Sequence, residues 1–477
     1  VLHPMKDLTQ GSILKHLINL ALPIGISILI QNLYFMIDLY FVSQLGPVAL
    51  AGVSTAGNLT LLIVGLTQVI AVGTVSLTAQ AIGKKDKHDA NLIFNQALFI
   101  SGVLTVLVLL SGYLFADFYL ALMASDPKVI ASGKQYLHYY LPNLALQFVL
   151  VVMSSALRGA GVVKPGMVIQ FISVIINILL TPILVAGWFT GHAMGVAGAG
   201  LASSVAMVVA VVLMFIYFLK LGQYFSFDKE LFIPASKPVK RILAIGFPSG
   251  GEFFMLFFYM AIIYWAIKDF GSAAQAGFGL GSRLMQAVFM PAMAIAFALP
   301  ALAGQNYGAK NYARVRSTFK VAALVISLMM ASLSLICLLV PELLLYPFTR
   351  DAAVIEVASG FLQVIAFNFV PAGLIFTCSG MFQGMGNTWP SLLSMTLRLI
   401  IFAVPVFWLS QKSHYPLEYI WYISISALVI QMFISLYLLK LEFARKLTPA
   451  NINETTDEAR SEEKEEEAAE EVPAKGH

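Results

Sequence analysis

Residues 20–38 read LALPIGISILIQNLYFMID, a run of nineteen residues in which the only charged side chain is Asp38, at the end. A segment this long and this apolar has the length of a membrane-spanning helix. Similar runs recur throughout the 477 residues, of which 59% are hydrophobic and 11% charged. A soluble domain carries roughly 25% charged residues. The sequence therefore predicts an all-α polytopic membrane protein.

Twelve spans are predicted, at residues 16–44, 50–81, 91–120, 132–157, 165–187, 195–220, 240–268, 276–305, 315–346, 355–384, 390–410 and 416–440. The first is too long for a signal-peptide core and lacks a small-residue cleavage site, so we expect it to be retained. Both cysteines, Cys337 and Cys378, fall inside spans, and the seven histidines form no ligand cluster. We therefore expect no structural disulfide and no metal site.

The basic residues lie mainly in alternate loops. With the N-terminus inside, the cytoplasmic segments hold seventeen lysines and arginines and the outer segments five. This positive-inside bias predicts a multi-pass protein with both termini cytoplasmic. Residues 441–477 carry a net charge of −6, and we expect this acidic segment to be a disordered tail.

A shift of 225 residues aligns the chain with itself. The matched positions include prolines, glycines and glutamines: Pro23 with Pro248, Gly46 with Gly271, Gln80 with Gln305, Gly83 with Gly308, and Gly159 with Gly384. Apolar composition alone would not align such residues at one offset. Each half holds six spans, and an even number predicts parallel repeats related by a pseudo-two-fold axis along the membrane normal. The predicted organisation is an N-terminal six-helix bundle (1–220), a cytoplasmic linker (221–239), a C-terminal six-helix bundle (240–440) and the acidic tail (441–477).

Three pairs of motifs resemble a known family. They are LALPIGISILIQNLYFMID (20–38) with IGFPSGGEFF (245–254), TAQAIGKKDK (78–87) with AGQNYGAKN (303–311), and LRGAGVVKP (157–165) with FQGMGNTWP (382–390). In order and duplication they resemble the multidrug and toxic compound extrusion (MATE) transporters, within the multidrug/oligosaccharidyl-lipid/polysaccharide exporter superfamily. The resemblance implies export of amphipathic, often cationic, compounds through a cleft between the halves, driven by H⁺ or Na⁺ influx.

The expected partners follow from this resemblance and from the sequence. They are small amphipathic substrates, a coupling cation and the lipid bilayer; we expect a monomer that binds no nucleic acid. No Walker-type phosphate-binding motif occurs in the chain,. Neither enzymatic activity nor a cofactor other than the coupling ion is therefore expected.

Asp38 is the first candidate for chemistry. Gln31, Tyr34 and Asp38 recur at spacings of three and four, so they form one polar stripe on their helix. The repeat pairs Asp38 with Ile263, so only the first half has this acid. A charge inside hydrocarbon costs at least a few kcal/mol and is a functional hypothesis by default. A second stripe lies on the fourth span, where we favour hydrogen bonds between helices: Asn143, Gln147, Ser154 and Arg158.

Other oxygen-bearing side chains are predicted at the depth of Asp38. Counted from the outer helix ends, the depths are about 12 Å for Asp38, 9 Å for Thr181 and 12 Å for Ser203, with Asn177 one turn below Thr181. Oxygen ligands around a carboxylate can hold a small hard cation, or the acid can take up a proton. Either event neutralises the charge, so we predict a cation-coupling site. The alternative is a buried acid with a purely structural role.

The family resemblance supports this site. In one branch of MATE transporters the cation site combines a first-span acid, an asparagine, a second acid one turn later and a sixth-span hydroxyl. Asp38, Asn177 and Ser203 resemble three of these, and Tyr34 joins them on the first span. Thr181 stands where the second acid would be. One charge instead of two favours a proton or a weak Na⁺ site.

The second half has its own charges inside predicted spans. Glu252 and Arg398 lie about 18 Å and 12 Å from the cytoplasmic ends of their helices. We predict that they form a buried pair, which serves either as a structural lock between helices or in coupling. Another MATE branch uses a seventh-span acid one turn further along, where this chain has Leu256. Arg283 is assigned to snorkelling towards the outer surface.

Aromatic and methionine side chains on the opening helices of the two halves, together with Gln31 of the first-span polar stripe, are candidates for the substrate cleft: Tyr34, Phe35, Met36, Met255, Tyr259 and Met260. Pro23 and Pro248 each lack the amide hydrogen that a helix uses, so each is a predicted bend.

Two other functions remain open. A flippase of the same superfamily, moving a lipid-linked anionic substrate, would need several basic residues inside the membrane, and this chain has chiefly Arg398 and Arg283. A membrane-embedded lipid-modifying enzyme would need acids or histidines gathered at a membrane surface and long catalytic loops. The predicted loops are short, which disfavours the enzyme.

Overall fold

The computed structural model describes residues 6–221, 225–412 and 414–447, with the side chains of Phe35 and Leu221 excepted. Twelve helices in this part of the chain are long and apolar enough to cross a membrane. In the first half they are α1 (Ile13–Ser43), α2 (Pro47–Gly83), α3 (Lys87–Met123), α4 (Pro127–Gly159), α5 (Lys164–Ala186) and α6 (Val196–Lys220). In the second half they are α7 (Ser236–Phe270), α8 (Ser272–Gly308), α9 (Tyr312–Leu339), α10 (Ala352–Gly384), α11 (Trp389–Ser410) and α12 (Glu418–Lys446). The predicted all-α, twelve-span fold is confirmed.

Two of these spans are compound, and two short helices lie between spans. A 3₁₀ turn, Lys268–Phe270, closes α7, and another, Ala366–Asn368, lies inside α10. The short helix Pro341–Leu345 follows α9, because Pro341 has no amide hydrogen to continue the preceding helix,. The second short helix, Lys229–Phe232, lies in the predicted linker and packs against α3. The acidic tail lies outside the described residues from 448 onwards.

The repeat is present in the backbone conformation as well as in the amino-acid sequence. Three pairs of turn residues, each 225 positions apart, have positive φ angles of similar size: Gly46 (104°) and Gly271 (93°), Lys85 (60°) and Lys310 (57°), and Gly161 and Gly386 (both 74°). Positive φ is costly for a residue with a side chain. The same local conformation in both halves therefore shows that the two six-helix units share one fold.

The halves pack against each other through their first two helices. In this arrangement α1 contacts α8, α7 contacts α2, and α2 contacts α8. The repeat makes α1 equivalent to α7 and α2 equivalent to α8. The α1–α8 and α7–α2 contacts are therefore equivalent to each other, and the α2–α8 contact is equivalent to itself. A pseudo-two-fold axis therefore passes between α2 and α8.

Polar contacts between the halves cluster at one end of the bundle, which we call the N-terminal face because the described chain begins there. Arg241 of α7 forms a bidentate ion pair with Asp89 of α3, with N···O distances of 2.8 and 3.2 Å. The segment before α1 also lies between the halves: the Leu8 amide donates to Gln305 Oε1 at 3.0 Å, and Arg314 Nη2 donates to the Leu8 carbonyl at 3.2 Å. The side chain of Leu8 is completely buried. The two halves are therefore joined at the N-terminal face.

Candidate functional site

Four of the predicted site residues form one hydrogen-bonded network in the first half. Tyr34 on α1 donates from its hydroxyl to Ser203 Oγ on α6 at 2.6 Å. Asn177 on α5 donates from Nδ2 to Ser203 Oγ at 3.3 Å and to the Tyr34 hydroxyl at 3.4 Å. Thr181 lies one turn further along α5 and donates to the Asn177 carbonyl at 2.8 Å. Asn177, Thr181 and Ser203 are at most 1% exposed. The network joins three helices at a common level.

Asp38 lies beside this network, one turn beyond Tyr34 on α1. Its side chain is 7% exposed, and its Oδ1 atom is shielded from solvent with no hydrogen-bond partner among the described residues. Asp38 makes no direct hydrogen bond to Asn177, Thr181 or Ser203; Tyr34 connects the acid's helix to them. A buried polar oxygen without a partner is rare in a folded protein and calls for an explanation.

Two tyrosines that the sequence did not identify also face this acid. Tyr136 and Tyr140 of α4 lie within electrostatic range of the Asp38 carboxylate, as does Tyr34. Their rings stack with centroids 4.7 Å apart, and the Tyr140 hydroxyl lies 3.4 Å from Thr60 Oγ1 of α2. The i, i+4 spacing of the two tyrosines was the available signal, because it continues the polar stripe of α4 outward from Asn143.

The equivalent place in the second half is apolar. At the repeat offset, the first-half set Asp38, Asn177, Thr181 and Ser203 corresponds to Ile263, Phe402, Val406 and Leu428. All four of these second-half residues are buried, with exposures of 4% or less. At these four positions one fold therefore carries polar side chains in one half and apolar side chains in the other. The polar residues are thus not required for the six-helix fold.

The predicted Glu252–Arg398 pair is not formed in this conformation. Glu252 lies beside Ser379 of α10 and Ser391 near the start of α11. Arg398, two turns further along α11, places its guanidinium 4.2 Å from the centre of the Tyr259 ring and donates to Gln431 Oε1 at 3.5 Å. The prediction counted residues from the helix ends and assumed that these ends lie at the same depth. They do not: Glu252 lies beside Ser391, near the start of α11, so it is closer to the N-terminal face than Arg398 is.

The other predicted cleft residues are dispersed. Gln31 and Met36 are exposed on α1, and the side chain of Phe35 lies outside the described part of the structure. Met255 is half-buried and packs against the core of the second half. Tyr259 is buried, and its hydroxyl lies 2.7 Å from Ser424 Oγ. Met260, also of the second-half set, lines a cavity.

Both predicted bend positions lie inside continuous helices. Pro23 is buried in α1, and Ser27 Oγ donates to its carbonyl at 3.0 Å. Pro248 is buried at the equivalent place in α7.

Within the residues that the structure describes, no cluster of three or more His, Cys, Asp or Glu side chains could hold a metal ion. The Asp38 site accordingly offers one carboxylate with neutral oxygen-bearing neighbours.

Comparison with known proteins relates the whole fold to one family. The sequence pattern of the family described as MatE matches residues 23–183 and again residues 248–409. The two matches begin 225 residues apart, which is the offset of the internal repeat. Together they span well over half of the chain.

Curated relatives and solved structures agree with this match. The chain is 28% identical over 400 residues to the probable multidrug resistance protein NorM of Thermotoga maritima, covering 82% of this chain and 84% of that protein. It is 23% identical over 382 residues to the multidrug export protein MepA of Staphylococcus aureus, covering 79% and 83%. An outward-facing multidrug resistance MATE family transporter has the same fold, with a TM-score of 0.86 at 22% identity over 94% of this chain and all of that one. A MATE in a bent conformation also has a TM-score of 0.86, at 22% identity over 92% and 97%.

Proposed function

The chain belongs to the MatE family, and from that premise we propose that it is a secondary active antiporter that exports amphipathic, often cationic, compounds. The family consists of transporters, so the protein is a multi-pass membrane transporter and not an enzyme. In this proposal an inward flow of H⁺ or Na⁺ drives export across the inner membrane, with both termini in the cytoplasm. The names of the NorM and MepA relatives support the substrate class.

The observation that carries the coupling role is the buried, unpartnered carboxylate oxygen of Asp38. An ionised carboxylate removed from water costs several kcal/mol unless it is paired or neutralised. No basic side chain is hydrogen-bonded to it within the described chain. A proton on the carboxyl group, or a cation held by Asp38 with neighbouring oxygens, would remove this cost. Asp38 is therefore suited to alternate between an occupied and an ionised state.

The neighbouring network offers a route from ion occupancy to helix position. Tyr34 is rigidly attached to the same helix as Asp38, and its hydroxyl bonds to Ser203 and Asn177 on two other helices. A change in charge at Asp38 alters the electrostatic environment of this hydroxyl one turn away. In the proposed cycle α1 shifts relative to α5 and α6 when the ion binds or leaves.

The packing of the halves supports alternating access. Their polar contacts lie at the N-terminal face, which the positive-inside bias assigns to the cytoplasm. This arrangement corresponds to a state closed towards the cytoplasm. Export then requires the N-terminal face to open and to close again. The cleft between parallel repeats is the usual place for a substrate in such transporters.

The proposal is tested by ion-driven efflux of a cationic dye from proteoliposomes that contain the purified protein. A pH gradient and a Na⁺ gradient are imposed separately, each with and without the ionophore that dissipates it. We expect one gradient to drive dye movement and its ionophore to abolish it. Equal dye movement with and without both gradients would contradict secondary antiport.

A lipid-linked flippase remains the alternative within the superfamily. Its anionic substrate would require several free basic residues in the cleft. Of the two candidates, Arg398 is engaged with Tyr259 and Gln431, which leaves Arg283. A single unpaired cation among the described membrane spans is a weak basis for carrying a lipid-linked polyanion.

A further inference from the structure

Arg283 lies in a cavity that the proposed coupling mechanism does not use. The cavity has a volume of about 560 Å³ and is lined by residues of α7 and α8. Pockets for small organic molecules range from about 300 to 1,000 Å³. Arg283 is eleven residues from the start of α8, or about 16 Å along the helix,. The lining residues of α8 run from Ala276 to Gln286, so the cavity lies in the part of the span that is nearer to the end opposite the N-terminal face.

The charge of Arg283 has no partner in the part of the chain that the structure describes. Among the described residues its guanidinium has neither a hydrogen bond nor an ion pair nor an aromatic ring beneath it, and its side chain is exposed to the cavity. No acidic side chain lines the cavity. An ionisable group inside a membrane span normally has a partner or a functional role. The unpaired positive charge is consistent with a ligand that brings the negative one.

Three further polar groups that can donate hydrogen bonds line the same cavity. Ser282 is 8% exposed, and its Oγ atom is buried without a hydrogen-bond partner. The Gln286 amide lies one turn along α8 from Ser282 and is exposed. The Tyr264 hydroxyl packs near Gly279. With Arg283, these groups offer donors on two helices and no carboxylate, which is the complement of an anion.

The rest of the lining is apolar and rigid. Tyr264 meets Phe278 edge to face with ring centroids 5.1 Å apart, and Phe278 stacks on Trp421 at 5.5 Å. Met260 lies on the same wall. The exposed ring of Tyr264, packed against the buried Phe278, and the flexible thioether of Met260 suit a flat hydrophobic body,.

The repeat argues against a requirement of the fold for this charge. Arg283 and Gln286 correspond to Asn58 and Leu61 in the first half. The same helix position thus folds with neutral side chains. The basic, donor-rich character belongs to the second half alone.

We infer that the cavity between α7 and α8 is a binding subsite for the anionic group of an amphipathic organic molecule, in which Arg283 pairs with a carboxylate, sulfonate or phosphate. Ser282 and Gln286 donate hydrogen bonds to the same group, and Tyr264 and Met260 contact the hydrophobic body. The inference rests on the proposed export function. It extends the substrate class from cations to molecules that also carry an anionic group.

Two dyes that differ in one functional group provide the test. Rhodamine 110 has a free carboxylate, and rhodamine 123 is its methyl ester. Binding of each dye to the purified protein in phosphatidylcholine nanodiscs is measured by fluorescence anisotropy. Because a charged hydrogen bond is lost, Arg283→Gln should weaken binding of the carboxylate dye by about tenfold or more, and leave binding of the ester within about twofold. Arg283→Lys should keep part of the preference. Arg350→Gln, which removes an exposed charge outside the cavity, is the matched control.

An equal effect of Arg283→Gln on both dyes, or no effect on either, would overturn the subsite. If Arg283→Gln does not fold, competition on the parent decides: an aromatic sulfonate should displace the carboxylate dye, and failure to do so refutes the inference. Nanodiscs that also contain phosphatidylglycerol distinguish the source of the anion. If phosphatidylglycerol weakens dye binding to the parent protein but not to Arg283→Gln, a lipid headgroup is identified as the natural occupant. Transport is measured separately, so failure of gradient-driven efflux would count against the proposed function and leave the binding result standing.

Discussion

Gln80 and Gln305 bond across the boundary between the halves in opposite directions. Gln80 Nε2 of α2 donates to the Gly384 carbonyl at 3.0 Å, and Gln305 Nε2 of α8 donates to the Gly159 carbonyl at 2.9 Å. Donors and acceptors are each 225 residues apart, so the two bonds exchange under the repeat. The N-terminal face is therefore closed by a symmetric pair of hydrogen bonds.

Two glycines next to these bonds allow the backbones to meet. A methyl group on Gly83 would overlap the backbone carbonyl oxygen of Gln305, and one on Gly308 would overlap that of Gln80. Because neither helix could approach as closely, Gly83→Ala and Gly308→Ala should prevent closure of the N-terminal face. We expect each substitution to lower dye efflux by about tenfold or more. A tenfold change corresponds to a destabilisation of the closed arrangement by about 1.4 kcal/mol. Efflux at equal protein expression is the measurement.

Gly57→Ala is the matched control for Gly83→Ala, since it also lies in α2. Apart from the adjoining backbone of its own helix, a Cβ atom at Gly57 would meet no described atom within 4 Å. We expect its efflux to stay within about twofold of the parent, because alanine favours a helix more than glycine does and causes no clash at this position. If Gly83→Ala transports as well as Gly57→Ala, close contact at this face is not needed for the cycle.

Tyr34→Phe tests whether the hydrogen-bonded network connects the acid to the neighbouring helices. The change removes the hydroxyl that bonds to Ser203 and Asn177 while keeping the ring. Ser203 and Asn177 remain bonded to each other, but each loses its hydrogen bond to Tyr34, at a cost of about 0.5–1.5 kcal/mol per bond. We expect efflux to fall and the concentration of driving ion that gives half-maximal efflux to change by about fivefold or more.

Tyr113→Phe serves as the comparison for Tyr34→Phe. Its hydroxyl donates to the His138 carbonyl at 2.9 Å between α3 and α4, away from Asp38. This variant should retain the parental ion dependence. An unchanged ion dependence in Tyr34→Phe as well would remove the network from the coupling mechanism.

Pro23 and Pro248 test which opening helix moves. The two prolines occupy equivalent places in α1 and α7, so a purely architectural role predicts equal effects of substitution. Only α1 also carries Asp38. We therefore expect Pro23→Ala to impair gradient-driven efflux more than Pro248→Ala, with both proteins compared at the same level in the membrane. An equal loss, or a larger loss at Pro248, would argue against α1 as the moving part.

Most of the fold could be predicted from hydropathy and the repeat, but helix ends could not. The last span was predicted to end at residue 440, whereas α12 continues to Lys446. Hydropathy falls where charges begin, yet Glu442 accepts a hydrogen bond from Asn387 Nδ2 at 3.0 Å, and Lys446 Nζ donates to the Met385 carbonyl at 2.8 Å. These tertiary contacts stabilise a charged helical turn that a hydropathy window does not recognise.

The candidate site was predictable to the extent that its members share a helix face or a depth. Spacing within helices, together with depth, grouped Tyr34, Asn177, Thr181 and Ser203, which the structure joins by hydrogen bonds. The contributions of Tyr136 and Tyr140 depend on how α4 is rotated against α1, and a single sequence does not encode that rotation in any one segment. The offset between Glu252 and Arg398 likewise depends on how far each helix extends beyond its neighbours.

Asp38→Asn is the decisive substitution for the proposed function. The amide is close in shape to the carboxylic acid and cannot ionise, so it fixes the site in a neutral state. The protein should fold and insert, because removal of a charge from the membrane interior lowers the cost of insertion. A transporter whose carboxylate alternates between occupied and ionised states would lose its response to the ion gradient. We therefore expect gradient-driven efflux to fall to the level of empty liposomes.

Three further variants separate the coupling role from a structural one. Asp38→Glu keeps the charge and displaces it by one methylene, so it should retain partial efflux with a changed ion or pH dependence. Asn177→Ala and Thr181→Ala remove neutral neighbours and should cause smaller losses than Asp38→Asn. If Asp38 had a purely structural role, Asp38→Asn would keep efflux, because the amide retains the size and polarity of the side chain. Parental efflux by a well-expressed Asp38→Asn protein under the same gradient would exclude Asp38 as the coupling carboxylate.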